Sequence, residues 1–261
     1  MNTFLLRLVA CLFLSVSLNS FGALSIRDLD GNLSNGHEGV YDDVLNVTWL
    51  ANANLAQSTT FGISINSNGS MTNAQTELYV VSANVANYLG HSAWRLPNMG
   101  FVSGVYNTAT SYDGSSDRGY NIGAPINLMN PNGQSTDFLG NELAFMYYQN
   151  LGGLAKCLSA TVCLQDSNLY GLQNMSNERN LELFSSISPF YYRSKNQANG
   201  GSNFGTSFNS GLQVGLSSAS NESVWLVHDG DIGAAVVPIP AAAWLFGSAL
   251  AGLLIAKRKR S

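Results

Sequence analysis

The sequence predicts an α+β fold, with two main helices and a mostly antiparallel sheet, followed by a C-terminal transmembrane helix. Three observations carry that expectation. Two segments, about 72–89 and 136–151, repeat apolar residues at steps of three and four, which is helical spacing. The last third of the exported part is a run of short β-branched and aromatic stretches separated by turn residues. Only 11% of the residues are charged, against about 25% in an ordinary soluble domain, so Asn, Ser and Thr carry the polarity. The 45% hydrophobic content still supplies a core and excludes disorder.

The elements follow in chain order. Residues 1–23 read as a signal peptide: Arg7 gives the positive start and Leu8 to Leu18 is an apolar run too short for an ordinary membrane span. Ser20 and Gly22 place small residues for cleavage after Gly22. Leu8-Val9-Ala10-Cys11 also resembles a lipobox, but cleavage before Cys11 would leave almost no apolar run after Arg7. Val40 to Leu50 reads as a strand after a turn at Asp42-Asp43, with Val47 and Trp49 alternating with polar neighbours. In the first helix Thr72 is the N-cap and Gln75 completes the capping-box spacing. Ala74, Leu78, Val81, Val85 and Leu89 form its expected apolar face, and Gly90 ends it.

Beyond that helix, His91 to Pro97 leaves in an extended path, because Pro97 disfavours helix at Leu96. Residues 103–134 are rich in Gly, Asn, Ser and Asp and read as a long irregular loop. The second helix places Leu139, Leu143, Met146 and Tyr147 on its buried face and stops at Gly152-Gly153. Residues 154–188 fit no single element. Strands are expected at Phe190 to Lys195, Phe204 to Phe208, Leu212 to Leu216 and Ser223 to His228, with a turn at Asn209-Ser210-Gly211. Phe204 and Phe208 fall on one strand face at even spacing.

At the C-terminus, Val237-Pro238-Ile239-Pro240 precedes an uncharged stretch from Ala241 to Ala256, and Lys257-Arg258-Lys259-Arg260 follows. Apolar length and basic stop together predict a membrane helix whose basic end stays in the cytoplasm. The chain therefore divides into 1–23, an exported domain at 24–235, and 236–261. Between residues 24 and 235 lie seven basic and sixteen acidic residues, a formal charge of −9 against −4 for the whole chain. That balance disfavours nucleic acid or another polyanion as partner, since such ligands need clustered Lys and Arg. Cys157 and Cys163 are the two cysteines left after the leader, an even count in an oxidising compartment, and predict a disulfide.

The search for chemistry is mostly negative. His37-Glu38 lacks the second His of a zinc-protease helix. Gly90-His91-Ser92 leads to Ala93-Trp94 where a nucleophile elbow needs Gly, and it follows a helix. His37, His91 and His228 are scattered, with no spacing that brings them together. Asp28-x-Asp30-Gly31-Asn32 begins like a calcium loop, but Leu33 stands at the Gly position and Glu38 falls one residue short of the twelfth. No catalytic residue, metal ligand or cofactor is assigned. Trp94, Arg95, Leu96 and Pro97 are expected to join helix to sheet, with Arg95 pairing a buried carboxylate or carbonyls. Trp49 and Trp225 are core candidates, with stacking on sugar faces as the other use of such rings.

Two resemblances follow from these segments. Val237-Pro238-Ile239-Pro240-Ala241, with the helix and the basic tail behind it, resembles the Val-Pro-x-Pro-Ala variant of the PEP-CTERM sorting signal. That resemblance implies processing by exosortase, a membrane protease-transpeptidase, and removal of the helix. The order of Tyr41 to Leu50, then Trp94-Arg95-Leu96-Pro97, then Phe190 to Ser194, then Val224 to Val227 resembles the Lcl C-terminal-domain family. It implies a C-type-lectin-like fold related in shape to sulfatase-modifying domains, whose cysteine chemistry has no counterpart here. Together they imply a non-enzymatic surface protein binding exopolysaccharide or envelope components, membrane-held before processing and then on the cell surface or in the extracellular matrix. A secreted hydrolase or modifying enzyme with a site in 103–134, and a passive matrix protein, are the competing readings.

Overall fold

In the computed structural model, residues 24–99, 112, 141–157, 159–165, 171–172, 180–197 and 203–235 are described. Strands β1 (Leu24–Asp28), β2 (Gly39–Asp42) and β3 (Val47–Leu50) form an antiparallel meander. The β2–β3 turn follows from Asp42, whose carboxylate accepts the backbone N–H of Val44 and of Leu45, both at 3.0 Å. Helix α1 runs Asn73–Val85. Helix α2 is one turn at Glu142–Phe145 that widens into a π-helical turn at Met146–Asn150.

Strands β4 (Tyr191–Gln197), β5 (Asn203–Ser207) and β6 (Gln213–Leu216) make a second antiparallel sheet in that order. Strands β7 (Val227–Asp229) and β8 (Ala234–Ala235) return to the first sheet, giving the order β7-β3-β2-β1-β8. Among the described residues this is a mixed α+β architecture with two helices and antiparallel sheets. The segment before β7 stitches the sheets together. Glu222 bonds Met71 in both directions, Arg193 N donates to Ser223, Leu50 N donates to Leu226, and Arg95 pairs with Val227.

The main core draws on both sheets and both helices and is threaded by a chain of aromatic rings. Trp225 contacts Trp49 and Phe184 at 5.1 Å and Tyr192 at 5.5 Å, and Phe208 links Tyr192 to Tyr147. Most of these are edge-to-face or tilted, the arrangement the ring quadrupole favours.

Several expectations change in detail. The capping box of α1 is present, Thr72 Oγ1 accepting from Gln75 N and Gln75 Oε1 from Thr72 N. Its buried face, however, is Thr76, Tyr79 and Ala83, while Leu78, Val81 and Val85 are 56%, 58% and 82% exposed. Tyr79 decides this: its ring packs on Phe61 at 5.2 Å and its hydroxyl donates to Thr59 O, anchors that no aliphatic residue in the predicted stripe has. The helix also stops at Val85; Leu89 and Gly90 belong to a separate 3-10 turn, Tyr88–Gly90, where both have positive φ. β3 does not alternate between core and solvent, because Thr48 lies under the chain return, donating to Gly230 O at 2.7 Å. Phe204 and Phe208 part company: Phe204 packs with Met99 in a small cluster and Phe208 enters the main core. In α2, Leu143, Met146 and Tyr147 are buried as expected, with Asn141 as N-cap. The strand β1 and the closing β8 had no sequence expectation.

Candidate functional site

The Trp94-Arg95-Leu96-Pro97 segment lies where α1, β7 and α2 meet. Trp94 is buried, its indole N–H donating to Tyr88 O at 3.1 Å. Asn84, on the last turn of α1, grips its backbone: Oδ1 accepts from Trp94 N at 2.8 Å and Nδ2 donates to Trp94 O at 2.9 Å. Leu96 is buried, and Pro97 O accepts from Lys195 N of β4 at 2.8 Å.

Arg95 makes the most contacts. Its guanidinium donates two parallel hydrogen bonds to Glu142, at 2.8 and 2.9 Å, and two more to Asp229 Oδ1, at 2.8 and 2.6 Å. Glu142 is buried and also accepts Asn98 N at 2.7 Å and Asn98 Nδ2 at 3.4 Å, so its charge has four donors. Asp229 is exposed, and its hydrogen bonds from Arg95 hold its carboxyl below the usual carboxylate range. A planar five-donor fork is the one side chain able to serve two carboxylates this way. The arrangement is a clamp between the first turn of α2 and β7.

Trp49 and Trp225 are both fully buried, so neither ring offers a face to a sugar in this structure. Trp225 donates to Leu50 O at 2.7 Å, while Trp49 Nε1 has no hydrogen-bond partner. Cys157 and Cys163 form a disulfide that closes the hairpin-like loop between them. Such a short loop stabilises by about 2 kcal/mol.

The acidic set that begins like a calcium loop in the sequence comes together, and a second grouping was not visible in the spacing. Carboxylate oxygens of Asp28, Asp30 and Glu38 come within 4.8 Å of one another. Turn N–H groups already compensate them: Gly31 and Asn32 donate to Asp28, Asn32 to Asp30, and Leu29 to Glu38. These oxygens are of the kind that hold a hard divalent cation. The second grouping joins His91 and His228, whose ring centroids lie 5.7 Å apart, each edge-to-face with Trp94. Burial, with His228 beside it, lowers the His91 pKa. His37 stands apart, its Nε2 2.9 Å from Leu183 O.

No family model, no curated protein and no solved structure matches the chain.

A third feature is Arg193 of β4, fully buried with only Nη2 bonded, to Ser220 O at 2.9 Å. Burial pulls its pKa down against the opposing pull of Glu222, and burial raises that of Glu222. Val237, Pro238, Ile239, Pro240 and the cluster Lys257, Arg258, Lys259 and Arg260 lie outside the described residues, as do the expected leader, the expected transmembrane stretch, Leu139 and nearly all of 103–134. Among the described residues no helix is long and apolar enough to cross a membrane.

Proposed function

We propose that this chain is an exported, surface-sorted, non-enzymatic binding protein. In this reading residues 24–235 are a C-type-lectin-like domain of the Lcl C-terminal type, and residues 236–261 are a PEP-CTERM-type signal processed by exosortase. The carrying observation is the order at the C-terminus: Val237-Pro238-Ile239-Pro240, sixteen uncharged residues from Ala241 to Ala256, then four consecutive basic residues. The fold is compatible with it. β1 (Leu24–Asp28) and β8 (Ala234–Ala235) lie at the two ends of the proposed exported domain. The two strands pair, so both ends of the domain leave from one edge of one sheet.

The partner is exopolysaccharide or another envelope component with neutral hydrogen-bonding groups, because the domain is poor in charge and formally −9. Before processing, the C-terminal helix holds the protein in the membrane; afterwards it lies at the cell surface or in the matrix.

The test is the intact mass of the mature protein from cells with and without exosortase. Loss of the residues after Pro240 only when exosortase is present supports the reading. A helix retained in both cells makes the tail a permanent anchor and sinks it.

A further inference from the structure

The two imidazoles of His91 and His228 sit together although 137 positions separate them in the sequence. His91 follows the Tyr88–Gly90 turn and His228 is in the middle of β7; Trp94 contacts both rings and floors the pair. The tautomer of His228 follows from its neighbour. Its Nδ1 lies 2.7 Å from Asp229 O, a carbonyl that can only accept, so Nδ1 carries the hydrogen and Nε2 keeps its lone pair. A backbone carbonyl fixing the far nitrogen is the usual outer support of a metal-bound imidazole. Among the described residues, neither ring nitrogen of His91 has a hydrogen-bond partner, and both histidines are half-buried.

We propose that His91 and His228 form a two-imidazole site for a d-block divalent cation such as Zn(II) or Cu(II). With metal–nitrogen bonds of about 2.0–2.1 Å, two imidazoles on one tetrahedral ion have centroids about 5 Å apart. The observed 5.7 Å is within about 1 Å of that spacing. Of the nearby cations, Arg95 is matched by both Glu142 and Asp229, and Lys195 acts on Asp229, the residue after His228. Imidazole donors select Zn, Cu or Ni over calcium and magnesium, which take oxygen ligands. Two protein ligands leave the remaining positions to water, so the site binds a metal reversibly. Bound metal would tie the segment after α1 to β7.

The test is calorimetric titration of chelator-treated full-length protein with zinc chloride, then with copper sulfate, beside the variants H91Q, H228Q and H37Q. The expected result is saturable 1:1 binding, weakened at least tenfold in H91Q and in H228Q and unchanged in H37Q. Absence of saturable binding, retention in both site variants, or displacement by calcium overturns the proposal. If a site variant fails to fold, proton NMR of the wild-type histidine rings decides. The His91 and His228 resonances must shift together at one equivalent of zinc while His37 stays still; any other pattern overturns it.

Discussion

Arg95 illustrates how one side chain can set the geometry of three segments. Its backbone pairs with β7 while its guanidinium reaches Glu142 at the start of α2 and Asp229 at the end of β7. Glu142 is buried, so removing Arg95 leaves a carboxylate with too few donors in a poorly solvated place. Arg95→Met is expected to lower unfolding free energy by about 3 kcal/mol, and Arg95→Lys to recover only part of that. Urea denaturation of both variants measures it; a loss below about 1 kcal/mol for the Met variant would show that the clamp is energetically idle. Asp229 is exposed and contributes little beyond aligning the fork.

Asp42 works in the other direction. It is buried, and burial pushes its pKa above the usual carboxylate range despite hydrogen bonds from Leu45, Asn150 and Val44. A carboxyl whose folded pKa is raised stabilises the fold fully below its unfolded pKa, and that contribution is lost as pH rises through the folded value. Asp42→Asn keeps the acceptor for Val44 and Leu45, and a flipped Asn150 amide can accept from the new side chain. At pH 7 it is expected to be neutral or slightly stabilising, with a flatter stability profile above pH 4. Asp42→Ala orphans three donors and costs about 2–3 kcal/mol. Stability curves from pH 4 to 8 separate the two variants, and an Asn variant as unstable as the Ala variant would refute the burial argument.

At the scale of elements, α1 separates what makes a helix from what buries it. Thr72 and Gln75 cap it locally, so its start could be read from four residues. Its orientation depends on Tyr79 reaching Phe61 and Thr59, and on Thr76 and Ala83 being small enough for close approach. Tyr79→Ala is therefore expected to cost about 3–4 kcal/mol, whereas Leu78→Gln and Val81→Gln stay within about 0.5 kcal/mol. Thermal melts of the three variants check this; comparable losses at Leu78 would mean that the stripe is covered by something in the folded protein. The turn after the helix packs three positive-φ residues, Asn87, Leu89 and Gly90, into four positions. The Asn84–Trp94 clamp and the Trp94 indole hold that unfavourable stretch in place.

For the molecule as a whole, the Glu222–Asp229 stretch links the two sheets by backbone hydrogen bonds. It meets Met71, β4, Leu50, Arg95 and β3 in succession. Chain closure follows the same logic, with β8 pairing to β1 and Arg27 forming a bidentate ion pair with Asp231 across the same edge.

By itself the sequence determined the features governed by a few neighbouring residues. The α1 cap, the Asp42 turn, the Asn209-Ser210-Gly211 turn between β5 and β6, and the short Cys157–Cys163 loop are all of this kind, because hydrogen bonds or covalent reach within a few residues decide them. Only the tertiary structure decided which face of α1 is buried, that β1 and β8 pair, and that His91 meets His228. The two pairings join segments more than a hundred residues apart, which no local period in the chain encodes, and the α1 face is set by Tyr79 meeting Phe61 and Thr59 from the loop before the helix.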